Sequence, residues 1–95
     1  MTISPAPRFP LGEIVATPAA LGALDKEGKA PSELLSRQAT GDWGDVCSAD
    51  CQANEHAVHE GTRILSVYEL SSVVTIWIIT EADRSSTCLL LPEDY

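Results

Sequence analysis

The chain has few aromatic residues, few basic residues and no long apolar run, and each shortage excludes a class of protein. Five of the 95 residues are aromatic and six are Lys or Arg. Patches that interleave basic and aromatic side chains, as on RNA-binding domains, are therefore absent. The longest strongly apolar run, Val73 to Ile79, is interrupted by Thr75 and is too short to cross a bilayer. The first ten residues also lack the cationic start and apolar stretch of a signal peptide.

Cysteine is scarce too, and the three cysteines are an odd number. An odd count argues against the disulfide framework of a small secreted domain, so we expect a cytoplasmic protein. Glycine-rich phosphate loops, GxSxG elbows and HExxH motifs are missing, and we expect no cofactor. The apolar content of 44% is nevertheless that of a folded domain, with a core built mainly from Leu, Ile and Val.

The net charge of −8 is concentrated in the second half of the chain. In residues 1–40 four basic and four acidic residues cancel, whereas residues 41–95 carry ten carboxylates against Arg63 and Arg84. A field of this sign repels phosphate, so we expect no direct binding to nucleic acid or to a membrane. It suits a protein partner with a basic surface, although acidic surfaces also keep proteins soluble.

Helix signals dominate the first two thirds of the chain. Residues 1–10 contain three prolines and predict an extended N-terminal arm, followed by a single domain over residues 11–95. Leu11 to Ala16 is a candidate edge strand, and Thr17-Pro18 is a helix start that predicts a short helix ending near Gly28. Pro31 predicts a second helix that ends before Gly41. A third should run from a cap at Asp45 or Ser48 to His59.

The last third predicts strands. Residues 62–70, 73–80 and 87–91 are rich in β-forming residues and are separated by short polar breaks, which is typical of a three-stranded antiparallel meander. The fold class expected is therefore α+β, with two to three short N-terminal helices packed on a small, mainly antiparallel sheet. The middle strand is apolar on both faces, so both faces need a cover, and a second copy in a homodimer could supply one.

Cysteine and histidine residues suggest a metal site that their spacing does not support. On one helix, His56 would lie 180° from Cys47 and His59 120° from it, at 100° per residue. One helix therefore cannot aim Cys47, Cys51, His56 and His59 at one ion, and we expect no metal. A nucleophilic pair of Cys47 with a histidine stays open, and Cys88 is expected to be buried and inert.

Two polar segments are candidate functional sites. In the turn from Glu81 to Thr87, the carboxylates of Glu81 and Asp83 could act as acid and base or hold a divalent cation, or the segment is simply a soluble turn. Arg84 could pair with Glu81 or Asp83. In the segment Gly41 to Asp45, Trp43 is either an exposed binding anchor or a plug between the second and third helices.

Five segments distributed from Phe9 to Tyr95 follow a pattern seen in other proteins: Phe9 to Pro18, Gly41 to Asp45, Arg63 to Ser66, Trp77 to Ser85 and Leu90 to Tyr95. With these segments the chain resembles, over nearly its whole length, a family of small uncharacterised bacterial proteins found on plasmids and integrative elements. The turn Ser71-Ser72-Val73 departs from the glycine-containing hairpin expected there, which leaves the register of that hairpin open. The resemblance implies a mobile-element setting and supplies no catalytic residues.

Two functions follow from these observations. The first is a non-catalytic interaction protein, such as a counter-defence inhibitor or a regulator, that binds a basic protein surface. Its acidic face would be formed by Asp42, Asp45, Asp50, Glu55 and Glu60, and the two polar segments above add Trp43, Glu81, Asp83 and Arg84. The alternative is a small nuclease-like or toxin-type enzyme in which Arg63, Tyr68, Glu81, Asp83 and Arg84 converge on the sheet.

Overall fold

The computed structural model describes residues 7–95, and residues 1–6 of the predicted arm lie outside the described part. Three α-helices span Pro18–Lys26 (α1), Pro31–Ala39 (α2) and Ser48–Glu60 (α3). Four strands span Glu13–Ala16 (β1), Ile64–Glu69 (β2), Thr75–Thr80 (β3) and Ser86–Leu90 (β4), and a 3₁₀ turn follows at Pro92–Asp94. The predicted α+β class is confirmed.

The four strands form one sheet in the order β1-β4-β3-β2. Strands β2, β3 and β4 are antiparallel neighbours, which confirms the predicted meander, and β1 adds a parallel strand next to β4. The hairpin between β2 and β3 places Glu69 opposite Thr75, which fixes the register that the Ser71-Ser72-Val73 turn left open. The sheet is therefore mixed, with β1 and β2 at its two edges.

One face of the sheet, here called the covered face, is buried by the first two helices. Ala20 and Leu24 of α1 and Leu34 of α2 form a core with sheet residues. The sheet residues of this core are Tyr68, Ile76, Ile78 and Leu89, each at most 1% exposed. Thr17 accepts a hydrogen bond from the Ala20 N–H at 3.1 Å and begins α1 as predicted.

Thr80 and Thr87, both fully buried, continue the covered face with a chain of hydrogen bonds. The Thr87 hydroxyl donates to the Leu11 carbonyl at 2.7 Å, and the Thr80 hydroxyl lies 2.8 Å from that of Thr87. Because the hydroxyl proton of Thr87 goes to Leu11, Thr80 donates to Thr87. These two hydrogen bonds connect Leu11, before β1, through Thr87 to Thr80 on the central strand β3.

Helix α3 lies along the β2 edge of the sheet. The Asn54 side chain donates to the Leu65 carbonyl at 2.7 Å and accepts from the Leu65 N–H at 3.3 Å. Ala57 of α3 packs with Phe9, Trp43 and Ile64 in a second apolar cluster. The helix begins at Ser48 after Cys47, without a side-chain cap, and ends at Gly61 in the left-handed conformation. The prediction of Asp45 or Ser48 as the N-cap is therefore wrong, because Cys47 occupies that position.

The segment before α3 completes the cover of the β2 edge. The Val67 N–H donates to the Trp43 carbonyl at 3.1 Å, and the Asp45 N–H donates back to the Val67 carbonyl at 2.6 Å. Gly44, at φ 77°, lies so close that an added Cβ would clash with the Val67 carbonyl and the Tyr68 ring. Glycine is required here because the backbone is left-handed and touches the strand.

Candidate functional site

Two of the acidic residues predicted to form a binding face are held in ion pairs within the chain. Arg37 contacts Asp42 at 2.7 Å, and this hydrogen-bonded pair lowers the pKa of the Asp42 carboxyl. Arg8 donates to both oxygens of Glu55 at 2.9 Å, and Trp43 Nε1 donates to the same carboxylate at 2.9 Å. Arg8 is the main cause, and Trp43 the second, of a lowered pKa at Glu55. Internal pairing reduces the charge that these carboxylates offer to a partner.

Trp43 is a core residue. Its side chain is 3% exposed and its ring lies 6.1 Å from the Phe9 ring, nearly parallel to it. The interpretation of Trp43 as an exposed binding anchor is therefore wrong. The alternative of a buried plug is the better one, because the indole turns inward, although its partners are Phe9, Ala57 of α3 and Ile64.

The other three acidic residues are more dispersed. Asp45 accepts a hydrogen bond from the Glu69 N–H at 2.9 Å and so supports the end of β2. Glu60 lies 3.7 Å from His56 on the exposed side of α3. Asp50, in the first turn of α3, is exposed and makes no ion pair with residues 7–95. Of the five, Asp50 is the carboxylate most available to a partner.

The turn between β3 and β4 is held by contacts within the chain. The Asp83 carboxylate accepts a hydrogen bond from the Ser85 N–H at 3.0 Å. Hydrogen bonds from the side chain and backbone of Ser85 lower the pKa of the Asp83 carboxyl. The Arg84 guanidinium donates to the carbonyls of Ala57, Thr62 and Glu81 at 2.7–3.1 Å. The pairing of Arg84 with a carboxylate of Glu81 or Asp83, considered from the sequence, is replaced by these backbone contacts. Glu81 pairs instead with Arg63 at 3.5 Å.

The residues proposed for an enzyme do not share a cleft. Arg63 precedes β2, whereas Tyr68 lies about 16 Å further along it at ~3.3 Å per residue. Tyr68 is 1% exposed and donates to the Asp42 carbonyl at 2.7 Å, and burial raises its pKa to about 12. Arg63 and Glu81 meet on one side of the sheet, while Arg84 is bound to carbonyls. The structure does not bring these side chains together in one cleft, as the enzyme hypothesis requires.

The cysteine and histidine residues are also spread out. Cys51, His56 and His59 line a shallow depression on α3, while Cys47 is exposed just before the helix. Among residues 7–95, no three Cys, His, Asp or Glu side chains gather closely enough to hold a metal ion. Cys88 is half-buried in β4 rather than fully buried, and this partial burial raises the pKa of its thiol.

The face of the sheet opposite α1 and α2, here called the open face, has an apolar centre and acidic margins. Because side chains alternate along a strand, the residues of this face follow from the register. Its central apolar residues are Val15, Leu65, Val67, Trp77, Ile79, Cys88 and Leu90. Its acidic residues are Glu13 and Glu69 on the edge strands, and Glu81 directly after β3.

A surface cavity of about 430 Å³ lies on the open face beside α3. Its floor is formed by Leu65, Trp77 and Ile79, and Tyr95 packs edge-on against Trp77 with the ring centres 5.8 Å apart. The remaining lining residues are Asp50, Ala53, Asn54 and Arg63. The Arg63 guanidinium donates to the Tyr95 hydroxyl at 2.9 Å and so positions the Tyr95 ring beside the cavity.

Sequence reasoning identified Asp50 but missed Leu65, Trp77 and Tyr95 as candidate site residues. The signal was present, because β3 has apolar side chains in both alternating sets. What the sequence did not show is that the first two helices pack on the same face and leave the other one partly open.

No family model, no curated protein and no solved structure matches the chain. Among residues 7–95, none of the helices combines the length and the apolar content needed to cross a membrane. Function is therefore inferred from the geometry of the open face.

Proposed function

We propose that the chain is a non-catalytic interaction protein whose open face binds a basic protein surface. The observation that carries this proposal is the apolar cavity over Leu65, Trp77 and Ile79, next to the exposed carboxylate of Asp50. An apolar side chain of the partner would enter the cavity, and Lys or Arg residues beside it would face the acidic margin.

Each part of the surface has a separate physical role. Burying apolar area against the indole and phenol rings stabilises the complex by roughly 25 cal/mol per Å² of apolar surface, before the losses of association. The margin contains four carboxylates, of Glu13, Asp50, Glu69 and Glu81, against the single guanidinium of Arg63. This excess of negative charge speeds the encounter with a basic partner and disfavours an acidic one.

The internal ion pairs change which carboxylates we assign to the contact with the partner. Asp42 and Glu55 are paired internally and Glu81 is paired with Arg63, so we assign the partner contacts to Asp50 and Glu69 instead. In the mobile-element setting that the resemblance implies, the target would be a basic surface that otherwise contacts nucleic acid. The chain would then act as a counter-defence inhibitor or a regulator.

Selection of short random peptides displayed on phage tests this proposal without a known partner. With the wild-type chain as bait, we expect enrichment of peptides that combine Lys or Arg with a large apolar residue. Trp77→Ala should remove this enrichment because it removes the cavity floor. The matched control is Val73→Ala, which changes an 87% exposed residue in the turn between β2 and β3.

The selected peptides then test the role of charge. Asp50→Asn should weaken their binding several-fold, and raising the salt concentration should weaken wild-type binding, because exposed charges are screened within about 10 Å at 0.1 M salt. Asp25→Asn, on an exposed position of α1, is the control. Enrichment of acidic peptides, or the same peptides with Trp77→Ala as bait, would refute the proposal.

A further inference from the structure

The β2 edge of the sheet is covered by other parts of the chain, whereas the outer side of β1 is unpaired within residues 7–95. The β2 edge is covered by the backbone of residues 43–45 and by the Asn54 side chain. At the other edge, the Glu13 N–H donates to the carbonyl of Ser85, just before β4, at 2.9 Å, and the Thr17 N–H donates to that of Leu89 in β4 at 3.0 Å. In a strand the backbone groups alternate in direction, so Ile14 and Ala16 direct their N–H and C=O groups outward. No strand of residues 7–95 pairs with that outer edge.

The surface around the β1 edge is apolar and carries few charges, which are those of Glu13 in β1 and of Asp94, whose carboxylate accepts a hydrogen bond from Thr17 at 2.7 Å. Ile14, Val15 and Leu21 are 45%, 41% and 47% exposed, respectively. From Phe9 to Leu24 the sequence contains one charged residue, Glu13, although the whole chain has a net charge of −8. Proteins commonly protect an exposed edge with lysine or proline, and β1 contains neither.

We infer that a second copy of this chain binds at the β1 edge and extends the sheet to eight strands. Two copies of a chain with a net charge of −8 repel each other least where charge is sparse, and each copy has the same unpaired strand, so this edge favours a second copy over a basic partner. A partner recognised by its positive charge has carboxylates to contact on the open face instead. The contact lies at the β1 margin of the open face, at the opposite edge of the sheet from β2 and the cavity, so it leaves the cavity accessible to the partner proposed above.

The register of the pair follows from the direction of the backbone groups. Antiparallel pairing about a twofold axis at Val15 places Val15 opposite the partner's Val15 and Ile14 opposite the partner's Ala16. Each Ile14–Ala16 pair exchanges two hydrogen bonds, so four new backbone hydrogen bonds form. The two valine side chains meet on the open face, where close cross-strand contacts between β-branched residues are favourable.

The contact is small, because four-residue strands bury less than the roughly 1,200 Å² of a stable interface. We therefore expect a weak dimer that forms between about 10 μM and 1 mM. Sedimentation equilibrium should show the average mass rising from 10.2 kDa toward twice that value over this range. A mass that stays at 10.2 kDa up to 1 mM would rule out the dimer.

Substitutions at Ile14 locate the contact. Ile14→Pro removes an outward N–H that β4 does not use, and Ile14→Lys places a charge at the edge while keeping that N–H. Each should weaken association at least tenfold and leave peptide binding at the open face unchanged. Val73→Lys, which adds the same charge at another exposed position, should not weaken association. If Val73→Lys acts equally, or if Trp77→Ala separates the copies and Ile14→Lys does not, the contact lies elsewhere.

Amide hydrogen exchange gives an independent readout. The amides of Ile14 and Ala16 should become protected as the protein concentration rises. The Glu13 amide, which is bonded to Ser85 within one chain, should not change. Association without new protection at Ile14 and Ala16 would contradict pairing along β1.

Discussion

The Arg84 side chain connects three separate parts of the chain. Its guanidinium reaches the carbonyls of Ala57 at the end of α3, of Thr62 before β2 and of Glu81 after β3, and it lies 5.3 Å from the centre of the Phe9 ring. The residue also has a φ of 60°, which is unfavourable for a side chain of this type and is held by these contacts. Arg84 is therefore a structural residue.

Arg84→Ala should lower the free energy of unfolding by about 1.5–3 kcal/mol, the size expected when hydrogen bonds from a charged group are lost. Denaturation with urea, monitored by circular dichroism, measures the change. Lys29→Ala is the control, because its contact with Glu33 is an exposed pair at 3.8 Å. Equal effects of the two changes would contradict the structural role.

The surroundings of Gly44 and Gly22 predict opposite effects on stability when each is replaced by alanine. Gly44→Ala places a Cβ against the Val67 carbonyl in a left-handed backbone and should destabilise the chain by about 2–4 kcal/mol. Gly22, within α1, has open space around its Cβ position, so Gly22→Ala should stabilise by roughly 0.5–1 kcal/mol. Opposite signs in thermal denaturation are the expected result, and destabilisation by both would count against this reading of Gly44.

At the scale of elements, and within residues 7–95, one side chain of α3 hydrogen-bonds to the strands of the sheet. Asn54 is 5% exposed and exchanges two hydrogen bonds with the Leu65 backbone. Asn54→Ala leaves both backbone groups of Leu65 without these partners and should cost about 2–3 kcal/mol of stability. Gln52→Ala, at an exposed position of the same helix, should change stability by less than about 0.5 kcal/mol. Equal losses would show that the amide is not the link.

The elements whose limits depend on neighbouring residues could be predicted from the sequence. The start of α1 at Thr17-Pro18, the end of α3 at Gly61 and the meander of β2, β3 and β4 all follow from local signals. The pairing of β1 with β4 could not be predicted, because Glu13 and Ser86 are far apart in sequence and no local pattern joins them.

The candidate site was only partly predictable for the same reason. Trp77 was correctly assigned to a strand with two apolar faces, but packing of distant elements decides which face stays open. The pairing of Arg8 with Glu55 joins residues 47 positions apart and turns a predicted contact residue into a structural one. Tertiary contacts of this kind leave no mark in composition or periodicity.

At the scale of the whole molecule, the dimer inferred above would place two open faces on the same side of one sheet. Five interstrand steps separate the two copies of β3, which at ~4.8 Å each puts these strands about 24 Å apart and the two cavities somewhat farther. A partner with two basic segments at that spacing would bind both cavities. Its second contact would then gain from a high effective concentration.

Acidic pH should weaken the fold through the ion pair between Arg8 and Glu55. Since this pair lowers the pKa of Glu55 in the folded chain from its ordinary value of 4.5, the pair stabilises the fold where the carboxyl is ionised. The contribution is complete above about pH 4.5 and is lost as the pH falls through the lowered folded pKa.

Glu55→Gln keeps an acceptor for Trp43 and removes the charge, so it should cost less than about 1 kcal/mol at neutral pH, because the pair is partly exposed. Urea denaturation of both proteins across this pH range should show their difference shrinking toward zero in acid. A difference independent of pH would mean that the charge of Glu55 does not hold the Phe9 segment against α3.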